Sequence, residues 1–543
     1  MNDQKNTSSQ IRLPIIVVLA LVAGLLIGAN VAGGSESDNN LLKSLYKFRQ
    51  VLTYIDNDYV DKVNTEELVE KAISDLLVDL DPHSVYITGK ELELTRSQLV
   101  GNYGGIGIEF NIFKDTLHVV SPFSGGPSDK AGLRAGDKIV KVDGENIAGI
   151  NLKNSMVFDK LRGEKGSEVK VTVKRRNQKE LLEYKIIRDL IPQYAVDVSY
   201  MIDEKTGYIK VNKFSATTFD EFKVHLTGLV ENGMERLILD LTGNPGGYLD
   251  KAVKMADEML AGDAMIVYTK GKGQRSNSEY TTSREGAFEK QPIIVLVDEG
   301  SASASEIVAG ALQDHDRALI VGRRSFGKGL VQMPIELTDG SELRLTISRY
   351  YTPSGRSIQK PYEGKTPEYN RDILDRYESG EMFHKDSLKV NDSLKFSTTA
   401  GRIVYGGGGI TPDFFVPVDT SMNSSYLNGL MTSNTLREYT LLYTNREKIK
   451  LEETALEDFI ENFEVSDKML KEMIKLGETN KLAFDKEGYE RSKPLIKNYL
   501  KAQIARAIWD NEGFYPVLNE TNEIYQSALK LFDEAEELAE KYN

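Results

Sequence analysis

The sequence predicts a multidomain α/β protein, and three observations carry that prediction. At 543 residues the chain has room for about three or four domains. Residues 191–430 alternate short apolar strand patterns with amphipathic helical ones, as a layered α/β core requires. Residues 99–190 instead run through short strands and two short helices punctuated by glycine, which reads as a compact α+β module. Helical segments flank both.

Taken in order, Leu13 to Ala29 carries no charge; Lys5 and Arg12 precede it, and Glu36 and Asp38 follow. Such a helix just spans a hydrocarbon core of about 30 Å. It is long for the apolar region of a signal peptide, about 7–15 residues, although Gly33-Gly34-Ser35 offers a small-residue stretch for cleavage. Residues 1–36 are therefore expected to be a single anchor in a bacterial inner membrane. The basic flank keeps the N-terminus inside and puts the rest in the periplasm or extracytoplasmic space. There are no cysteines, so disulfides, Cys-based zinc sites, a thiol nucleophile and an acylated cysteine are all excluded. A net charge of −14 argues against nucleic-acid binding. His83, His118, His225, His315 and His384 lack metal-ligand spacing, so no metal site is expected.

Residues 37–98 read as an N-terminal helical segment. Leu42, Leu45, Phe48 and Val51 recur at helical spacing, as do Val69, Ile73 and Leu76, before the breaker LDPHS (80–84). In the core stretch, strands are expected at Gly207–Val211, Arg236–Leu241, Ile293–Val297 and Ala318–Val321. Helices are expected at Thr218–Glu231, Gly247–Met259 and Ser303–Gln313. Residues 362–400 are polar and read as a surface excursion. GRIVYGGGGITPD (401–413) lacks the Lys-Ser/Thr of a phosphate loop, and its glycines read as a close backbone approach. Residues 431–543 read as a helical appendage with solvated acidic faces.

One stretch raises a chemical question. In SASASEIVAGALQD (301–314), three serines alternate with alanines where a strand hands over to a helix. Ser303 with Glu306 three residues on fits a capping box, a purely local role. A helix N-terminus also suits a nucleophile, because its unpaired N–H groups can hold an oxyanion. A base is then needed. His315 lies about three turns on, ~18 Å along the axis, and cannot reach. His83 serves only if the fold brings it back. The remaining candidate is Lys328 in FGKGLVQ (326–332), with Gln332 four residues later on the same face of a strand. As a base, lysine must be largely neutral at pH 7, a depression of about three units from its ordinary value near 10.4.

Several motifs in one order resemble known families. Gly105-Ile106-Gly107-Ile108 and the turns Ala131-Gly132-Leu133 and Ala135-Gly136-Asp137 resemble a PDZ domain, whose glycines let backbone N–H groups converge on a peptide carboxylate. With LDPHSVYI (80–87), GNPGG (243–247), SASASEIVAGALQD, FGKGLVQ and SRYYTPSGRSIQ (348–359), residues 41–420 resemble the carboxy-terminal processing peptidases, or tail-specific proteases. The resemblance implies a layered α/β protease core of ClpP/crotonase-like type over 191–430 and a PDZ domain over 99–190. It implies Ser303 as nucleophile, Lys328 as general base and Gln332 as its support. It also implies an oxyanion hole from the N–H groups of Gly246, or less readily Gly247, and Ala304, with no cofactor and no metal. The implied substrates are proteins or peptides recognised by their C-termini, and a homo-oligomer is possible on the same ground. One departure is Thr242, where the family usually has arginine.

Two rival readings follow. One is a catalytically inactive PDZ-bearing binding or adaptor protein. The other is a hydratase-like acyl-CoA enzyme, which lacks an evident acid-base carboxylate and does not explain the PDZ module.

Overall fold

The computed structural model describes residues 36–123, 125–134, 136–175, 178–362, 366–388 and 391–542, and these divide into two compact units, up to Leu77 and from Val78 onward. The expected membrane segment lies outside the described residues, among which no helix is long and apolar enough to cross a membrane. In the first unit, the helix Glu36–Asp58 leaves Leu41, Leu45, Phe48 and Val51 exposed along its length.

The heart of the second unit is a six-stranded sheet: β1 (Val196–Met201), β2 (Thr206–Val211), β3 (Arg236–Asp240), β4 (Ile293–Val297), β5 (Leu319–Gly322) and β6 (Phe414–Phe415). The strands lie in chain order. β1 runs antiparallel to β2, and every later pairing is parallel. All residues of β2 and β4 are buried, and β4 is a continuous apolar run, IIVLV, rather than an alternating one. Helices α1 (Thr218–Glu231), α2 (Leu249–Asp257) and α3 (Ala304–Asp314) carry the chain between successive strands. Phe222, Leu226, Met255, Ile307 and Val308 from these helices join one cluster with Ile209, Leu239 and Val295, so all three cover the same face.

The opposite face is where the sequence reading needs correction. The helices Glu523–Ala528 and Phe532–Tyr542 do not trail into solvent. Ile524, Tyr525, Ala528, Phe532 and Ala535 pack on Tyr208, Ile238, Ile294, Leu296 and Val321. The apolar residues recur at helical spacing, and the acidic ones occupy the outer side. Residues 425–519 build a separate helical core around Leu430, Phe459, Met473, Ile496 and Leu500.

A second, antiparallel sheet stands beside the first. Its strands Met265–Gly271, Ser278–Thr281, Leu330–Glu336 and Glu342–Tyr351 accept Val85–Ile87 at one edge, where Val85 pairs with Arg344. Asp81 fixes that docking by accepting from the N–H groups of His83 and Ser84 and from the hydroxyls of Ser84 and Thr346. The glycine-rich module has its own five-stranded path and core, with Ile108–Phe113 at the edge. A two-stranded ribbon, Asn102–Gly105 with Asp189–Pro192, gathers its entry and exit.

Because Phe532 is 3% exposed and closes the back of the central sheet, Phe532→Ala is expected to cost about 3–5 kcal/mol of stability. Urea unfolding checks this. A change below about 1 kcal/mol contradicts the sandwich role of the final helices.

Candidate active site

Three consecutive parallel strands each deliver one motif at their carboxyl ends, the edge of an open α/β sheet where sites form. GNPGG follows β3, SASAS follows β4, and FGKG follows β5. The first two interlock through the backbone. Ala302 N–H donates to Asn244 O at 2.9 Å. Ser301 Oγ donates to Leu241 O at 2.8 Å, and Ser305 Oγ to Asn244 O at 3.0 Å. Both hydroxyls are fully buried and spent on carbonyls, which fits local hydrogen-bonding roles rather than chemistry.

Ser303 differs from both. It is half-buried and sits at φ 54°, ψ −112°, a region that costs an L-residue of order 1–3 kcal/mol. The capping box is present, but its tight half is Ser303 N–H to Glu306 Oε2 at 2.7 Å. The hydroxyl half falls short of hydrogen-bond geometry, so Oγ is not consumed by the helix. Gly246 packs directly beneath: at φ +94°, any Cβ there would stand 2.7 Å from Ser303 Cβ.

Lys328 lies in the loop just before the strand Leu330–Glu336, not on that strand as expected. Its Nζ nonetheless donates to Gln332 Oε1 at 3.1 Å, aided by a register irregularity between Val331 and Gln332. Burial pushes the Lys328 pKa down, and the Arg344 charge adds to this; Glu306 and Asp81 pull it back up. The fold does bring His83 back. It hydrogen-bonds Tyr369 through Nε2 at 2.7 Å, and burial, then the Lys328 charge, lowers its pKa to about 4. His83 is therefore neutral at pH 7 and adds no charge beside Lys328.

Two groups tie Ser303 to Lys328. The Tyr350 hydroxyl lies within hydrogen-bond distance of both their carbonyls, its single proton serving one at a time. The Glu306 carboxylate is more decisive. Oε2 accepts from Ser303 N–H at 2.7 Å and from Lys328 N–H at 2.9 Å. Oε1 accepts from Gly327 N–H at 2.7 Å and Ser325 Oγ at 2.5 Å. The group is completely buried. Burial raises its pKa, and the four donors work against that rise. The spacing S-x-x-E gave Glu306 only a capping role; its reach across to the lysine loop has no local signal.

The oxyanion expectation needs adjustment. Gly246 N–H is already donated to Asn244 Oδ1 at 2.9 Å, because the asparagine side chain folds back over its own turn. Among the described residues, the N–H groups of Gly247 and Ala304 meet no acceptor. At Thr242 the positive charge beside Asp240 comes from Lys210, whose Nζ donates to Asp240 Oδ1 at 2.8 Å and to Thr242 O at 2.6 Å. The four-glycine run approaches backbone closely, as expected: a Cβ on Gly409 would stand 2.6 Å from Ser325 O.

In the glycine-rich module, the Ile106 and Ile108 side chains are buried, so their loop presents backbone to a small pocket that Phe110, Val157, Phe158 and Leu161 also line. The N–H groups of Ile106 and Gly107 meet no acceptor among the described residues, and the adjoining strand Ile108–Phe113 is the edge strand of its sheet.

Fold and site together define a serine-type peptidase that carries a PDZ domain. The models for peptidase family S41 and for the PDZ domain match residues 205–371 and 104–186, the activating protease CtpB N-terminal domain matches 28–91, and a family of unknown function matches 426–510. A carboxy-terminal-processing protease of Bartonella bacilliformis is 38% identical over 351 residues, covering 63% of this chain and 80% of that protein. Carboxy-terminal processing protease CtpB of Bacillus subtilis is 34% identical over 367 residues, covering 67% and 75%. A solved photosystem II D1 C-terminal processing protease aligns at 30% identity over 58% of this chain and 83% of its own, with a TM-score of 0.34. The chain belongs to the carboxy-terminal processing protease family.

Glu306→Gln keeps the shape but turns an amide NH₂ toward two donors. It is expected to cost about 1–3 kcal/mol in denaturant unfolding, and unaltered stability contradicts the four-donor arrangement. For His83, the folded pKa is depressed, so stability is lost as pH falls from 6.5 and the loss is complete below about 4. NMR titration of the His83 ring is expected to show that low midpoint. Lys328→Met should raise it, because a positive neighbour has been removed; an unmoved midpoint contradicts their proximity.

Proposed function

We propose that this serine peptidase works by a Ser-Lys dyad on extracytoplasmic proteins whose C-termini its PDZ domain holds. Ser303 Oγ attacks the scissile carbonyl while neutral Lys328 takes its proton. Gln332 Oε1 directs the amine. The developing oxyanion lies between the N–H groups of Ala304 and Gly247, the two donors at this turn without acceptors. Lys328 returns the proton to the leaving amine, an acyl-enzyme remains on Ser303, and water deprotonated by the same lysine releases it. The observation that carries this reading is the shared Glu306 Oε2, which holds the Ser303 and Lys328 backbone nitrogens within about 6 Å of each other. No cofactor or metal enters the cycle.

The free N–H groups at Ile106 and Gly107 support capture of a terminal carboxylate, and the Ile108–Phe113 edge supports addition of the peptide as a strand. The in-order strands with all crossovers on one face support a core of the ClpP/crotonase-like type. The apolar run 13–29 with its basic flank supports membrane anchoring with the peptidase outside. The exposed stripe on Glu36–Asp58 supports a homo-oligomer.

Ser303→Ala and Lys328→Ala are each expected to lower kcat/KM at least about 10³-fold on a quenched peptide with a free C-terminus, and the double variant no further. Since only neutral lysine is a base, parent kcat/KM rises with pH through a limb below 10.5, the ordinary lysine value that burial depresses. Amidating the peptide's C-terminus should raise KM. Either single variant keeping more than about a tenth of parent activity contradicts the dyad.

A further inference from the structure

The segment after TPSGRSIQ, read from sequence as a surface excursion, reaches the base. Its helix α4 (Thr366–Glu378) buries Tyr369 and Arg376 to 4% and 3% exposure. Arg376 Nη1 donates to Arg324 O at 3.2 Å and Ser325 O at 2.8 Å, and Nη2 to Phe326 O at 3.2 Å. We infer that Arg376 is a positioning residue for the proposed base, clamping by its carbonyls the loop that Glu306 holds by its N–H groups; the inference rests on the reading of Lys328 as base.

Residues 324–328 lie between β5 and the strand Leu330–Glu336 and belong to neither ladder, so their peptide groups need other partners. Glu306 takes the N–H groups of 327 and 328. Ser325 and Phe326 N–H donate to Ile410 O and Ser301 O. The carbonyls of three consecutive residues, 324 to 326, fall to the one guanidinium. A planar fork with five donors can serve three acceptors at once, as an ammonium cannot in the same geometry. Arg376 is itself held by Asp372 at 2.9 Å, one turn earlier on α4, and Asp372 also pairs with Lys360 at 3.1 Å. The excursion grips the loop a second time where Glu381 accepts both arms of Arg324, at 2.7 and 2.8 Å. Carbonyl-side and amide-side clamps together leave the Lys328 backbone one position. A loosened loop lets water to the amine, which restores its ordinary high pKa and moves Nζ off line.

The experiment compares the full chain with Arg376→Ala, Arg376→Lys, Lys328→Ala and, as control, Arg371→Ala, an exposed residue of the same helix. Arg376→Ala is expected to lower kcat about 10²-fold with KM within twofold. Its acid limb should move up by roughly one pH unit. Arg376→Lys should fall between, and carries the test if the alanine variant folds poorly; Arg371→Ala should match the parent. Parent-like kcat and acid limb in Arg376→Ala, with Lys328→Ala inactive, overturns the role of Arg376 alone. A loss of kcat with an unmoved limb and a lowered melting temperature marks a merely structural arginine and overturns it too. Activity surviving in Lys328→Ala overturns the dyad and this inference with it.

Discussion

Glu306 is a carboxylate with no exposure to water, and four donors converge on its two oxygens. Removing such a group from solvent is costly unless every lone pair is used, and here each is. Three of the four donors are backbone N–H groups, of Ser303, Gly327 and Lys328, and they join two loops that follow adjacent parallel strands. Backbone ties hold geometry more tightly than long side chains do, because fewer torsions intervene. They also explain how Ser303 keeps a positive φ: its N–H is captured by Glu306, its carbonyl lies under the Tyr350 hydroxyl, and Gly246 leaves no Cβ to push it away. The strain lies on the residue proposed as nucleophile.

Around this point the fold works in layers. One face of the central sheet is closed by the three crossover helices and the other by the last two helices of the chain. The carboxyl edge is left to the loops. The antiparallel sheet adds Gln332 and Tyr350, and the LDPHS turn adds Asp81 and His83, so stretches far apart in sequence meet around Lys328. Its charge is disfavoured by burial and by Arg344, and favoured by Glu306 and Asp81; the balance falls on the lowered side.

Much of this was legible in the sequence because it is local. Ile293–Val297 and Thr218–Glu231 occur with the bounds that their periodicity gives, and Ser301 and Ser305 bond backbone as small hydroxyls at a turn do. What was not legible is long-range. Glu306 reads as a cap because the cap is real; its other three acceptances come from Ser325, Gly327 and Lys328, 19, 21 and 22 positions away. Tyr369 and Arg376 sit in a polar stretch whose composition says surface, yet each buries by pairing with groups the sequence places elsewhere. The final helices look acidic and solvated because one face is; the other face matches a sheet whose residues, Tyr208 to Val321, lie far earlier in the chain. Which of the Gly246 and Gly247 N–H groups meets no acceptor among the described residues depends on where the Asn244 side chain points, which no spacing encodes.

We propose that one carboxylate holds the Ser303 hydroxyl and the Lys328 amine in a single working geometry. A crystal structure of the fluorophosphonate-treated full chain tests it most directly. The account predicts phosphorus on Ser303 Oγ, a phosphoryl oxygen within about 3 Å of Ala304 and Gly247 N–H, Lys328 Nζ beside the adduct and still on Gln332, and Glu306 bonded as before. Phosphorus on Ser301 or Ser305, or an adduct at Ser303 with the lysine turned away to solvent, would contradict it.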